Sequence, residues 1–243
     1  MAHAHAAVMQ PPAAAEPGSG VYNEKLGMWI FLGSEVMFFT ALIGSYIILR
    51  FGTPHPWAPP GVILNIPVTA FNTFLLICSS VFMVKAYAAI ADGKKHFLRT
   101  DPSVPHDWRL WRWVDGGLKF WFLMTILGGA TFVGIQVYEY IHLAHNGFLP
   151  SGIKEGTHFG ELVAQGIVPA ATAGIYGSTF YTMTGFHGFH VTCGVVSMLY
   201  LFFKKVLPEK YSEHDYRGVE TIGLYWHFVD LVWIILFTIV YLI

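Results

Sequence analysis

Five apolar stretches, each twenty residues or longer, leave this chain few folds to adopt. Crossing the hydrocarbon core of a bilayer takes about 20 helical residues at 1.5 Å rise each. Residues 26–50, 62–89, 118–143, 171–204 and 219–243 all reach that length. In hydrocarbon the backbone must satisfy its own polar groups, so such runs fold as helices. Charge agrees: 12% of residues are charged, where a soluble domain carries about 25%. The sequence therefore predicts an all-α integral membrane protein with five transmembrane helices. A soluble domain, a disordered chain, a coiled coil and a disulfide scaffold are excluded. Cys78 and Cys193 fall inside apolar runs and are expected to pack as small hydrophobes, without a disulfide or metal role.

Outside the spans the chain divides simply. Residues 1–22 are rich in Ala, Pro and Gly and read as a disordered tail rather than a signal peptide. Residues 23–243 form the membrane domain. Of the 14 Lys and Arg residues, twelve fall on the side of the amino terminus and two, Arg50 and Lys154, on the other. That bias predicts a cytoplasmic amino terminus and a carboxyl terminus outside, on the periplasmic side. The net charge of -1 offers no basic patch for nucleic acid. No internal repeat is evident, which argues against inverted-repeat transporters. Two segments suit the headgroup layer, where aromatic rings and guanidinium groups lie half-buried. They are Trp57, in the proline-rich turn 52–61, and the run Trp108-Arg109-Leu110-Trp111-Arg112-Trp113. Both read as lipid headgroup anchors.

Ionisable residues inside a membrane are costly and need a reason. Glu35 lies nine residues into the first span, about 13 Å deep. His227 enters the fifth span to similar depth from the same side, and Asp230 follows one turn later. His187 and His190 lie three apart on one face of the fourth span. Together these five residues form a candidate intramembrane polar cluster. A metal or haem site is one reading; it needs several ligands to converge. The other is interhelical hydrogen bonding, with Glu35 paired to span four or five, His187 and His227 being its candidates by depth. Two histidines at this spacing are a weak metal signal, so no metal ligand and no catalytic residue is assigned. Glu139, between Tyr138 and Tyr140, reads as a solvated carboxylate at the outer interface, with Gln136 the more buried polar group of its helix. Gly174, Gly177, Gly185, Gly188 and Gly194 mark the fourth span as a closely packed central helix, tilted or irregular at its glycine-containing start. Phe38, Phe39, Phe71 and Phe74 read as packing or lipid-facing side chains.

The motifs, taken in order, resemble subunit III of the haem-copper terminal oxidases. They are Ser34-Glu35-Val36-Met37-Phe38-Phe39; Trp57 through Gly61, with Asn72-Thr73 and Ser79-Ser80; Tyr138-Glu139-Tyr140; Thr184 through Val191, with His187 and His190; and Tyr225-Trp226-His227-Phe228-Val229-Asp230-Leu231-Val232-Trp233. The resemblance runs from about Lys25 to the end and touches all five spans.

It implies a non-catalytic subunit of a proton-pumping oxidase in a bacterial cytoplasmic membrane. In that family subunit I carries the haems and a copper, and subunit II receives electrons from cytochrome c. Subunit III packs on subunit I, holds structural phospholipids and sustains proton uptake. No cofactor of its own is implied. Partners are then subunits I and II, phospholipids and a respiratory supercomplex. Glu35 matches the family's carbodiimide-reactive glutamate. Larger members have seven helices with a lipid-filled cleft between the first two and the rest; this chain matches the last five. The Ser-Glu form at position 35 leans towards a cytochrome c rather than a quinol oxidase. Other readings are a nitric oxide reductase accessory protein, a stand-alone proton channel or transporter, and a membrane cytochrome with haem on His187 or His190.

Overall fold

The computed structural model describes residues 22–100, 114–211 and 215–242. Five long helices carry the fold: α1 (Asn23–Gly52), α2 (Ile66–Ala91), α3 (Leu118–His145), α4 (Ala170–Leu201) and α5 (Arg217–Phe237). All five are long and apolar enough to cross a membrane. Four short strands occupy two connections. β1 (Leu98–Thr100) pairs antiparallel with β2 (Val114–Gly116), and β3 (Phe148–Leu149) with β4 (Gly152–Ile153).

Two helix boundaries differ from the sequence reading. The second span does not begin at Val62. Pro60–Ile63 forms a separate helical turn, and α2 restarts after Asn65, whose side chain accepts from Val68 N at 3.4 Å. Pro67 then sits in the first turn, where its missing N–H costs nothing. The fourth span is irregular at its end, not at its glycine-containing start. Phe202–Val206 forms a π-helical turn, with Leu207 N bonded to Phe202 O at 2.7 Å. The glycines at the start serve close approach instead: a Cβ on Gly177 would collide with the Leu149 carbonyl.

That contact pins the connection between α3 and α4. Phe148 is fully buried among Phe159, Tyr176, Phe180 and Tyr181. Tyr181 donates to Phe148 O at 2.9 Å, and Ser178 to Pro150 O at 2.6 Å. A helical turn, His158–Ala164, is capped by Thr157.

Helices in lipid gain little from the hydrophobic effect against one another; close packing and interhelical hydrogen bonds hold them. α2 and α3 make the most extensive contact, and α5 packs on both α2 and α4. The ring of Trp226 fills the space left by Gly129 on α3 and Gly194 on α4. Its indole N–H donates to Ser79 Oγ at 3.1 Å, and Trp233 repeats the pattern on Thr73 Oγ1 at 2.9 Å. Asn72 donates to Phe132 O at 3.2 Å, and Gln136 to Thr184 O at 2.8 Å. α1 stands apart: 6% of its apolar window is buried, against 50% for α5.

Candidate functional site

The five polar residues of the predicted cluster separate into three settings. On one side, Glu35 of α1 meets His190 of α4, with Oε2 3.1 Å from Nε2. The other ring nitrogen, Nδ1, lies 2.7 Å from Phe186 O. A carbonyl only accepts, so Nδ1 carries a hydrogen. Nε2 then accepts from a carboxylic acid, or donates to a carboxylate as imidazolium. Either way the pair has no net charge, which makes it tolerable between helices in hydrocarbon. The partner of Glu35 is thus His190, not His187 or His227. Depth alone misleads because His187 points to a different helix face.

His187 occupies the centre of the bundle and is completely buried. Its ring stacks on Trp233, with centroids 4.7 Å apart, and meets Phe132 edge-on at 5.8 Å. Among the described residues neither ring nitrogen has a hydrogen-bond partner. On the third side, His227 and Asp230 of α5 face α2. Ser80 Oγ lies 2.6 Å from His227 Nδ1; Asp230 is buried, and among the described residues its Oδ1 has no hydrogen-bond partner. Ser80 engages His227, which the sequence reading placed with Glu35.

The outer-end expectations need correction as well. Glu139 is not a solvated interface carboxylate. It is buried, and Thr69 of α2 donates to it at 2.8 Å. Trp57 is packed inward: it meets Tyr46 of α1 and Tyr176 of α4 edge-on, at 5.6 Å and 5.7 Å. Arg50 donates to Tyr46 Oη at 2.7 Å and lies over the Trp57 ring. With this indole the chain closes the gap between two helix ends. Trp108, Arg109, Trp111, Arg112 and Trp113 lie outside the described residues.

One tie escapes sequence reasoning altogether. Glu220, at the start of α5, accepts from Lys25 at 2.6 Å and from Tyr22 at 2.8 Å. Nothing in its flanking residues marks it; its role depends on where α1 begins. Arrangements of this kind lock helices together. Among the described residues no three His, Cys, Asp or Glu side chains converge as a metal site. Both His190 nitrogens are engaged, and aromatic rings crowd His187.

Comparison with known proteins supports the resemblance. The family model described as cytochrome c oxidase subunit III matches residues 166–243. The cytochrome c oxidase subunit 3 of Thermostichus vulcanus is 32% identical over 217 residues, covering 89% of this chain and 86% of that one. The protein of the same description from Synechocystis sp. is 34% identical over 217 residues, covering 89% and 74%. That of Bacillus sp. (strain PS3) is 30% identical over 235 residues, covering 95% and 92%.

Proposed function

Since this chain belongs to the cytochrome c oxidase subunit III family, we propose that it is the accessory, non-redox subunit of a proton-pumping oxidase in a bacterial cytoplasmic membrane. It stabilises subunit I, holds structural phospholipids and sustains proton uptake through repeated turnover. Haem and copper belong to its partner subunits, and cytochrome c is the electron donor.

The observation that carries this reading is the use of the intramembrane polar groups. Glu35 pairs with His190, Ser80 with His227, and Thr69 with Glu139, each across two helices. A chain that conducted protons by itself would present such groups in a continuous line. Here they close off pairwise, at separate places. The large exposed apolar face of α1, including Ile30, Met37, Ile48 and Phe51, supports a neighbour or lipid against it.

The test is gentle solubilisation of the native membrane and purification through a tag on this chain. Haem-bearing subunits I and II should co-purify in equal amounts. Once separated from them, this chain should retain neither haem nor copper. Stoichiometric metal on the isolated chain, or proton conduction by it in liposomes, would overturn the reading.

A further inference from the structure

One face of α5 is left open by the described residues. Leu224, His227, Leu231, Ile234 and, just past the helix end, Thr238 lie on it, alternately three and four residues apart, and each is half-exposed or exposed. That alternation is the spacing with which one helix presents a straight seam to another. From Leu224 to Thr238 the seam runs fourteen residues. At 1.5 Å rise each that is about 21 Å, most of the hydrocarbon core of a bilayer. Beside it a crevice of about 270 Å³ opens between Met83, Val84 and Tyr87 of α2 and Gly223, Leu224 and His227 of α5.

His227 sets this seam apart from a face that lipid alone satisfies. It lies ten residues into α5, about 15 Å from the helix start. Ser80 occupies its Nδ1 at 2.6 Å, and among the described residues Nε2 has no hydrogen-bond partner. A ring nitrogen left unmatched in hydrocarbon is costly, and acyl chains bring neither donor nor acceptor to it. Leu231 and Ile234, 57% and 42% exposed, continue the seam as apolar surface. Apolar packing around a single polar point is how helices associate in a membrane, by close contact and an interhelical hydrogen bond.

We infer that a transmembrane helix of a partner subunit seats along this seam and carries a hydroxyl or carboxamide side chain that bonds His227 Nε2. Nε2 donates where Ser80 donates to Nδ1, and accepts where Nδ1 donates to Ser80. A hydroxyl and a carboxamide each donate and accept, so they match either tautomer. A ligand the size of one ring would fill the crevice and leave Leu231, Ile234 and Thr238 uncovered, whereas a helix covers all five positions. The inference rests on the reading of this chain as an oxidase subunit and adds to it the face by which the chain is attached.

The experiment uses the intact complex in native membranes. Photoreactive benzoylphenylalanine replaces Leu224, Leu231 or, on α3, the exposed Tyr138, one position at a time. After irradiation the adducts are mapped by mass spectrometry. Leu224 and Leu231 should capture one transmembrane segment of a partner subunit, at points about seven residues apart, with Ser, Thr, Tyr, Asn or Gln between them. Tyr138 should not capture that segment. In detergent, His227→Phe keeps a ring without the N–H, and the variant chain should leave the complex roughly threefold faster than wild type. His227→Gln restores a donor and an acceptor and should return the rate towards wild type. Ser80→Ala breaks only the contact inside this chain and should leave the rate unchanged. Lipid adducts alone at both seam positions would overturn the inference, as would a captured segment lacking such a side chain or its capture from Tyr138. Equal acceleration by Ser80→Ala and His227→Phe would overturn it too. Absence of haem-bearing subunits from the wild-type preparation would count instead against the subunit III reading, while the adducts would still report what covers the seam.

Discussion

Glu35 on α1 and His190 on α4 lie 3.1 Å apart and tie the least buried helix to the rest of the bundle. Two further ties hold α1, one at each end. Glu220 takes hydrogen bonds from Lys25 and Tyr22, and Trp57 wedges between Tyr46 and Tyr176. Glu35→Gln retains an N–H that can donate to the imidazole, so assembly should survive. Glu35→Ala leaves a cavity and an unpaired histidine, at a cost of about 2–5 kcal/mol. The Ala variant should lose this subunit from the purified complex, or shorten its working lifetime, with little change in initial oxygen reduction. Combining Glu35→Ala with His190→Ala should cost less than the two separately, by about 1–3 kcal/mol of coupling. Turnover against time and subunit content are the measurements. Loss of initial turnover in an intact Glu35→Gln complex would make Glu35 part of the chemistry instead.

His187 acts as an aromatic slab between Trp233 and Phe132. A ring of similar shape should replace it. His187→Phe is expected to shift the stability of the complex by less than about 1.5 kcal/mol, as shape-conserving core changes do. His187→Ala opens a cavity and should cost about 3–5 kcal/mol. Thermal dissociation of the purified complex checks both. A visible haem band lost specifically in His187→Phe would instead restore the ligand role considered from the sequence.

The spans were legible because apolar runs of this length have one solution in lipid. Helix ends were legible to within a few residues, except where local backbone chemistry intervenes, as at Asn65-Ile66-Pro67. The polar cluster was legible as a set of residues but not as a set of pairs. Depth along a helix follows from counting; direction around it depends on which neighbours pack where. His187 and His190 are three residues apart, yet one faces Trp233 and the other Glu35. Glu139 shows the same limit. Its depth suggested water, but Thr69 of the neighbouring helix covers it. Ser80 was visible within a motif and Glu220 was not, because a hydroxyl or carboxylate at a helix end has no periodic signature.

Gly129 gives a sharp packing test. A Cβ there would collide with the Trp226 ring, which is itself completely buried. Gly129→Ala should push α3 and α5 apart and destabilise the bundle by about 1–3 kcal/mol, the usual range for overpacking. Gly134 lies on the same helix with no atom near the added Cβ. Gly134→Ala should therefore be neutral or slightly stabilising, since Ala is the better helix former. Membrane yield and heat-induced dissociation, measured side by side, separate the two.

At the end of the bundle where α4 closes, Lys119 donates to Glu209 at 2.6 Å. This hydrogen bond, with the lysine charge, holds the Glu209 carboxyl below its ordinary value. A lowered folded-state pKa stabilises the fold above the unfolded value and is lost as pH falls through the folded one. Attachment of the 207–211 segment should therefore be constant around neutrality and weaken once pH drops below about 4.5. Limited proteolysis of that segment in the intact complex, across a pH series, reads the change. Glu209→Gln should remove the pH step in this range, and a step that persisted in the variant would assign it to another group.

Orientation is the prediction on which the cytoplasmic and outer labels depend. Five antiparallel crossings put the starts of α1, α3 and α5 at one end, together with the ends of α2 and α4. Among the described residues ten of the basic side chains belong to that end, and Arg109 and Arg112 fall in the sequence between α2 and α3. Several are ion-paired, as Lys25 with Glu220 and Lys119 with Glu209. Pairing does not cancel their influence, because the topological bias counts Lys and Arg near the spans rather than net charge. The opposite end has Arg50 and Lys154, and Arg50 is held inward against Tyr46. The amino-terminal end should thus stay in the cytoplasm during insertion, leaving the carboxyl terminus outside. A reporter that works only outside the cytoplasm should be active when fused after Ile243 and silent when placed between residues 92 and 117. A reporter that works only in the cytoplasm should give the reverse. Activity on the same side for both fusions would mean an even number of crossings between them, and one of the three intervening helices would then not span.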